Sequence, residues 1–305
     1  MPEAPGKPPS PAGKAAAPKK PGPRPDLATI SGLAIAIVGI IGGLLLEKGK
    51  IQDVAQGTAA LIVLGGTMGA VLVTTPMPVV RRAFRGLGSV FFERTGNAPE
   101  TIETLISFAG KARKNGIVSL ETEASAVADP FMRKALNLAV DGTDLQELRK
   151  MMEIDTALAE QAGEAEAKVW EAAGGYAPTI GIIGAVMGLI QVMKHLEDIK
   201  EVGHGIAVAF VATVYGVGSA NLFFLPAASK LRARLREALL ANEMVLEGVI
   251  GIVEGLNPTL IRLKLESYSA KPEPKASKAK GGKEADNAVK RGAPTQAPAP
   301  APAEN

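Results

Sequence analysis

The chain has 305 residues, 47% of them hydrophobic and 21% charged, with a formal net charge of +3 and no cysteine. Disulfides and thiolate metal sites are thereby excluded. A mean hydropathy of +0.16 alongside so much charge implies segregation. The sequence agrees: Leu27 to Leu46, Val54 to Val80, Ala172 to Met193 and Gly205 to Ser229 contain no charged residue.

Residues 1–25 are rich in Pro, Ala and Lys and hold too little apolar surface to fold alone, so they read as a disordered cytoplasmic tail. This leader is long, and no short apolar region with a small-residue cleavage site stands apart from the first block, so a cleaved secretory signal is not expected. The blocks then follow. A helix rises about 1.5 Å per residue, so roughly 20 residues cross a hydrocarbon core about 30 Å thick. Each block is long enough. The pattern predicts an all-α membrane protein with four transmembrane helices: a first hairpin over 26–80 and a second over 172–229.

Between the hairpins, residues 81–171 read as a helical domain. Asn97 and Pro99 mark a start, Ile102, Leu105, Ile106 and Ala109 form one apolar face, and Gly116 marks a stop. A short helix is expected from about Ser119, another from about Phe131 to Gly142. Thr143 and Gln146 give a capping-box pattern for a long helix leading through Trp170 into the third block. After the fourth block, Leu231, Leu235, Leu239 and Leu246 continue a helical stripe within an extension over 230–269. The last segment, 270–305, is again basic and Pro/Ala-rich and reads as disordered. No strand alternation is found.

Charge placement predicts topology. Lys7, Lys14, Lys19, Lys20 and Arg24 precede the first block, Arg81, Arg82 and Arg85 follow the second, and Lys230, Arg232, Arg234 and Arg236 follow the fourth. By the positive-inside rule both termini and 81–171 face the cytoplasm. The basic tails lack interleaved aromatics, so nucleic-acid binding is not expected.

No Asp, Glu, Lys, Arg or His lies within the four blocks. Proton relays in membranes use ionisable side chains facing a cavity. If ions move here, the titrating group must come from a partner helix. Gly181, Gly184, Gly188, Gly216 and Gly218 would let helices approach closely, and Pro178 and Pro226 free backbone carbonyls, although ordinary helix packing uses the same residue types. No phosphate-binding loop of the G-x-x-x-x-G-K-[ST] type is present, so enzymatic nucleotide hydrolysis is not expected. The two histidines, His195 and His204, sit near an outer loop without metal-ligand spacing; no metal or cofactor is expected.

Several motifs resemble one family. Gly175-Tyr176-Ala177-Pro178-Thr179-Ile180-Gly181-Ile182-Ile183-Gly184 and Ala212-Thr213-Val214-Tyr215-Gly216 look like the third and fourth spans of the MotA/PomA flagellar stator proteins. Leu64-Gly65-Gly66-Thr67 resembles the second-span motif. Ala112-Arg113-Lys114-Asn115-Gly116 with Leu120-Glu121 resembles the charged cytoplasmic segment, and Gly255-Leu256-Asn257-Pro258 the C-terminal end. The likeness covers about 26–265, and the basic Pro/Ala tail departs from it.

The resemblance implies a multi-pass protein of the bacterial inner membrane, forming a pentamer around a dimer of MotB, a single-span peptidoglycan-binding protein that supplies a membrane Asp. Ion flow would turn the ring against the rotor protein FliG. By the same likeness, Pro178, Thr213 and Pro226 belong to the ion path and its coupling, and Arg113 and Glu121 to the rotor contact. Sodium-type members carry Thr where Ala185 stands; losing that oxygen points to protons. The alternatives are a proton-channel energiser of the ExbB and TolQ type, whose members have three spans, and a membrane scaffold without ion flux.

Overall fold

The computed structural model describes residues 24–93 and 98–269. Arg24–Pro25 (β1) leads into Leu27–Leu46 (α1), the first span, and Asp26 caps it by accepting a hydrogen bond from the Thr29 amide at 3.1 Å. Ile51–Val54 (α2) and Gly57–Ala60 (α3) open the second span, which continues as a π-helical segment Leu61–Gly65 and then Gly66–Thr74 (α4). The span stops short of the uncharged block's end. Thr75 lies at φ −130° and ψ 131°, because Pro76 disfavours helical backbone in the residue before it. Met77–Gly86 (α5) and Gly88–Phe91 (α6) follow, then Phe92–Glu93 (β2).

No strand was expected, yet β1 and β2 form a two-residue antiparallel bridge, Arg24 opposite Glu93 and Pro25 opposite Phe92. Such a pair leaves no alternation to read in sequence.

The domain between the hairpins is helical: Ala98–Asn115 (α7), a 3-10 turn Ile117–Leu120, Glu121–Ala126 (α8) and Pro130–Val140 (α9). The start signal at Asn97 lies outside the described residues. Gly116 and Gly142, expected as stops, take φ +82° and +75°, backbone that favours glycine. Then Leu145–Lys194 (α10) runs for 50 residues, about 75 Å at the standard rise. Its cap is Asp144, whose carboxylate accepts from the Gln146 amide at 2.9 Å; the Thr143 capping box expected from sequence is not formed. Asp144 stands one residue closer and a carboxylate is the better acceptor next to a helix N-terminus.

Ile199–Ser219 (α11) returns, passes through a second π-helical segment Ala220–Phe224, and continues as Leu225–Val253 (α12), with Pro258–Ser269 (α13) closing the described chain. Among the described residues four helical stretches are long and apolar enough to cross a membrane. Helix α10 and the α11–α12 stretch extend well past a bilayer, and both pass through the boundaries near 171 and 229 without a break.

Three apolar clusters form among the described residues, the smallest of them Ala59, Val63, Val211 and Ala212 between the second and fourth spans. In the domain, Leu105, Leu120, Leu136, Leu148, Val249 and Ile261 are buried together, joining α7, α9, the base of α10, α12 and α13. Nearer the spans, Trp170 is buried among Ala83, Ala173, Phe224 and Ala227. Its indole N–H donates to the Ala83 carbonyl at 3.3 Å. Phe84 lies edge-on at 4.9 Å, and Phe223 and Phe224 lie at 5.9 and 6.1 Å.

Candidate functional site

The spans of α10 and α11 meet along a seam of small residues. A methyl group at Gly216 would sit 2.6 Å from the Ala177 carbonyl oxygen, and one at Gly181 2.9 Å from that of Ala212. The contact repeats further along, where a methyl at Gly188 would meet the Gly205 carbonyl at 2.8 Å. These backbones touch, so the pair forms one stiff hairpin. Its outer faces differ in character: Ile182, Ile183, Val186, Met187 and Phe210 are exposed and apolar.

The expected path residues lie on this hairpin. Pro178 sits within α10, half-buried, and does not interrupt the helix. Gly184 packs against Ala212, which puts their neighbours Ala185 and Thr213, both half-buried, at one depth. The Thr213 hydroxyl donates back to the Ala209 carbonyl at 3.3 Å, a local bond a threonine in a helix commonly makes. Pro226 is separate from these three. It is exposed in the first turn of α12, just past the π-helical segment, and lines a cavity beside α1.

Two features of the second span escaped sequence reading, the first being its tie to Tyr215 of α11. The Tyr215 hydroxyl donates to the Val54 carbonyl at 2.6 Å and accepts from the Gln56 amide at 3.3 Å. It thereby satisfies backbone groups exposed where α2 gives way to α3, which in a membrane would otherwise cost several kcal/mol each. Thr67, in the glycine motif, is fully buried and its hydroxyl has no partner among the described residues.

Arg113 and Glu121 lie in the helical domain, in the last turn of α7 and at the start of α8. Both are exposed, and neither forms an ion pair among the described residues. Nearby Lys111 and Glu123, by contrast, pair with each other.

The basic residues flanking the spans form a collar. Arg232 on α12 contacts Glu164 at 3.1 Å and Glu171 on α10, and Arg82 lies 3.7 Å from Glu166. Lys230 and Arg234 reach Asp26 at 2.5 and 3.0 Å. Their hydrogen bonds and charges, with the Thr29 amide, lower the Asp26 carboxyl to about 2, against the opposing effect of burial. Composition gave the cations but not their partners, which lie up to 208 residues away.

A close-packed hairpin with an exposed apolar wall, held in a charged collar, defines a multi-pass helical membrane protein. Comparisons with known proteins agree. The description "Motility protein A N-terminal" matches residues 30–116, and "MotA/TolQ/ExbB proton channel family" matches residues 123–244. Motility protein A of Helicobacter pylori (strain ATCC 700392 / 26695) is 36% identical over 256 residues, covering 84% of this chain and all 100% of that protein. The structure of C. jejuni MotAB superposes with a TM-score of 0.77 at 33% identity, covering 83% of this chain and 99% of that one. The flagellar MotAB stator complex from Bacillus subtilis gives 0.73 at 32% identity, covering 79% and 95%. The chain belongs to the motility protein A family.

Proposed function

We propose that this chain is a flagellar motor stator subunit, acting with a MotB-type partner to turn ion flow across the inner membrane into torque. The observation that carries the reading is the absence of Asp, Glu, Lys, Arg and His from the four uncharged blocks, combined with a close-packed hairpin whose outer wall is apolar. Such a wall offers a partner helix a surface but no proton acceptor. The partner, present as a dimer and anchored to peptidoglycan, brings the titrating carboxylate. Copies of this chain, five in a ring, surround it. Both termini and the helical domain face the cytoplasm, where the long helices carry motion to the rotor.

Pro178 and Thr213 border the path, Pro226 lies at its cytoplasmic exit, and Ala185 selects protons by withholding an oxygen that a sodium ion would need. Arg113 and Glu121, exposed and unpaired among the described residues, meet charges on FliG. The test is complementation: cells lacking stators receive this chain with its partner. Swimming should persist in sodium-free medium and stop on adding a protonophore. Motility that needs sodium overturns the proton assignment, and no motility under either condition overturns the stator reading.

A further inference from the structure

We propose that Asp26 is a positioning residue that fastens the first span to the torque-carrying helix α12 through a buried ion clasp with Lys230 and Arg234. The inference rests on the stator reading.

The first span is held in an unusual way. None of the residues of α1 is buried, so packing within the chain does not fix its position. A cavity of about 570 Å³ lies along its first half, between Thr29, Gly32 and Ala36 on α1 and Leu222 and Ala233 across it. All the strong attachments are gathered at one end. The Asp26 amide donates to the Phe91 carbonyl at 2.8 Å, and the β1–β2 bridge lies immediately before it. One carboxylate oxygen of Asp26 accepts from the Thr29 amide; the other accepts from Lys230 at 2.5 Å and Arg234 at 3.0 Å.

Capping alone does not account for this carboxylate. A helix start is served as well by serine or asparagine, with one bond. Asp26 is only 6% exposed, and burying a charge costs several kcal/mol per ion unless partners compensate. Two cations one helical turn apart on α12 supply that compensation. They also fix α1 against a single face of α12. That helix runs from the spans into the domain core, where Gly248 lies against Leu105 of α7, and α7 carries Arg113 in its last turn. A contiguous set of contacts thus joins the rotor-facing residue to the first span. With the clasp intact, α1 follows α12; without it, α1 swings about the bridge and part of the motion is lost.

The test uses the full chain with its partner in stator-less cells, comparing torque under high load with the amount of complex recovered from membranes. Asp26→Asn keeps the cap and removes the charge. The triple variant Asp26→Asn, Lys230→Gln, Arg234→Gln removes every charge of the clasp, so no ion is stranded and the chain still folds. Both variants should assemble at wild-type levels yet lose roughly half or more of their high-load torque, a loss of the size single couplings carry. Asp26→Glu should recover most of it. Wild-type torque from the triple variant overturns the clasp, and this holds even if Asp26→Asn fails to accumulate. A wild-type chain that drives no rotation overturns the stator reading instead.

Discussion

Asp26 shows how far a single residue's environment departs from its sequence context. Its carboxyl is held at about 2 by Lys230, by the Thr29 amide and by Arg234, whereas an unfolded aspartate titrates near about 3.9. The folded value is depressed, so its stabilising contribution is complete above the unfolded value and disappears as pH falls toward 2. Neither cation facing it changes charge in that window. Thermal scans of the purified complex should therefore show Asp26→Asn less stable than wild type at pH 7 and pH 5, with the gap closing between about 4 and about 2. A gap that persists at the acid end would place its origin outside the carboxylate's charge. Thr67 gives the opposite case. Its buried hydroxyl lacks a partner among the described residues, and replacing an unsatisfied polar group by an apolar one of the same shape is nearly neutral or stabilising. Thr67→Val should hold or raise the melting temperature of the complex. Sequence reading found Thr67 only as part of a glycine motif and missed Asp26 altogether, since its ion partners become neighbours only after the chain has folded.

At the scale of elements, the spans were legible because bilayer thickness imposes a length that few soluble helices match. The glycine stops at Gly116 and Gly142 were legible in a different way, through backbone geometry, whereas the break before Pro76 was not read and the block was carried on to Val80. What escaped were features with no compositional signature: the π-helical segments at Leu61–Gly65 and Ala220–Phe224, and the bridge before α1. The seam between α10 and α11 is the element-level feature most open to attack. Gly216→Ala would place a methyl 2.6 Å from a main-chain oxygen, and backbone atoms cannot yield as a flexible side chain can. The helices must separate, so recovery of the partnered complex from membranes should fall steeply. Gly218→Ala, where the added methyl meets nothing within 4 Å, is the matched control and should assemble normally. Equal recovery of both variants would show the seam to be looser than the packing indicates.

For the whole molecule, the chain divides its work by distance. The uncharged blocks offer apolar walls, the collar ties their ends together, and the helical domain presents Arg113 and Glu121 to solvent. The resemblance to a known family, and not the pattern of charge, pointed to Arg113 and Glu121, and both are exposed beside the paired Lys111 and Glu123. Arg113→Glu should leave membrane assembly intact while reducing spreading in viscous agar, and unimpaired spreading would remove Arg113 from the rotor contact.

The central claim is that the spans of this chain cannot carry protons unaided, because their four uncharged blocks contain no Asp, Glu, Lys, Arg or His to relay them. Proton flux into vesicles under an imposed gradient measures this directly. Vesicles holding this chain alone should match empty ones, those holding it with the MotB-type partner should acidify, and replacing the partner's membrane aspartate by asparagine should abolish the flux. Acidification by this chain alone, at the rate of the complex, would contradict the account.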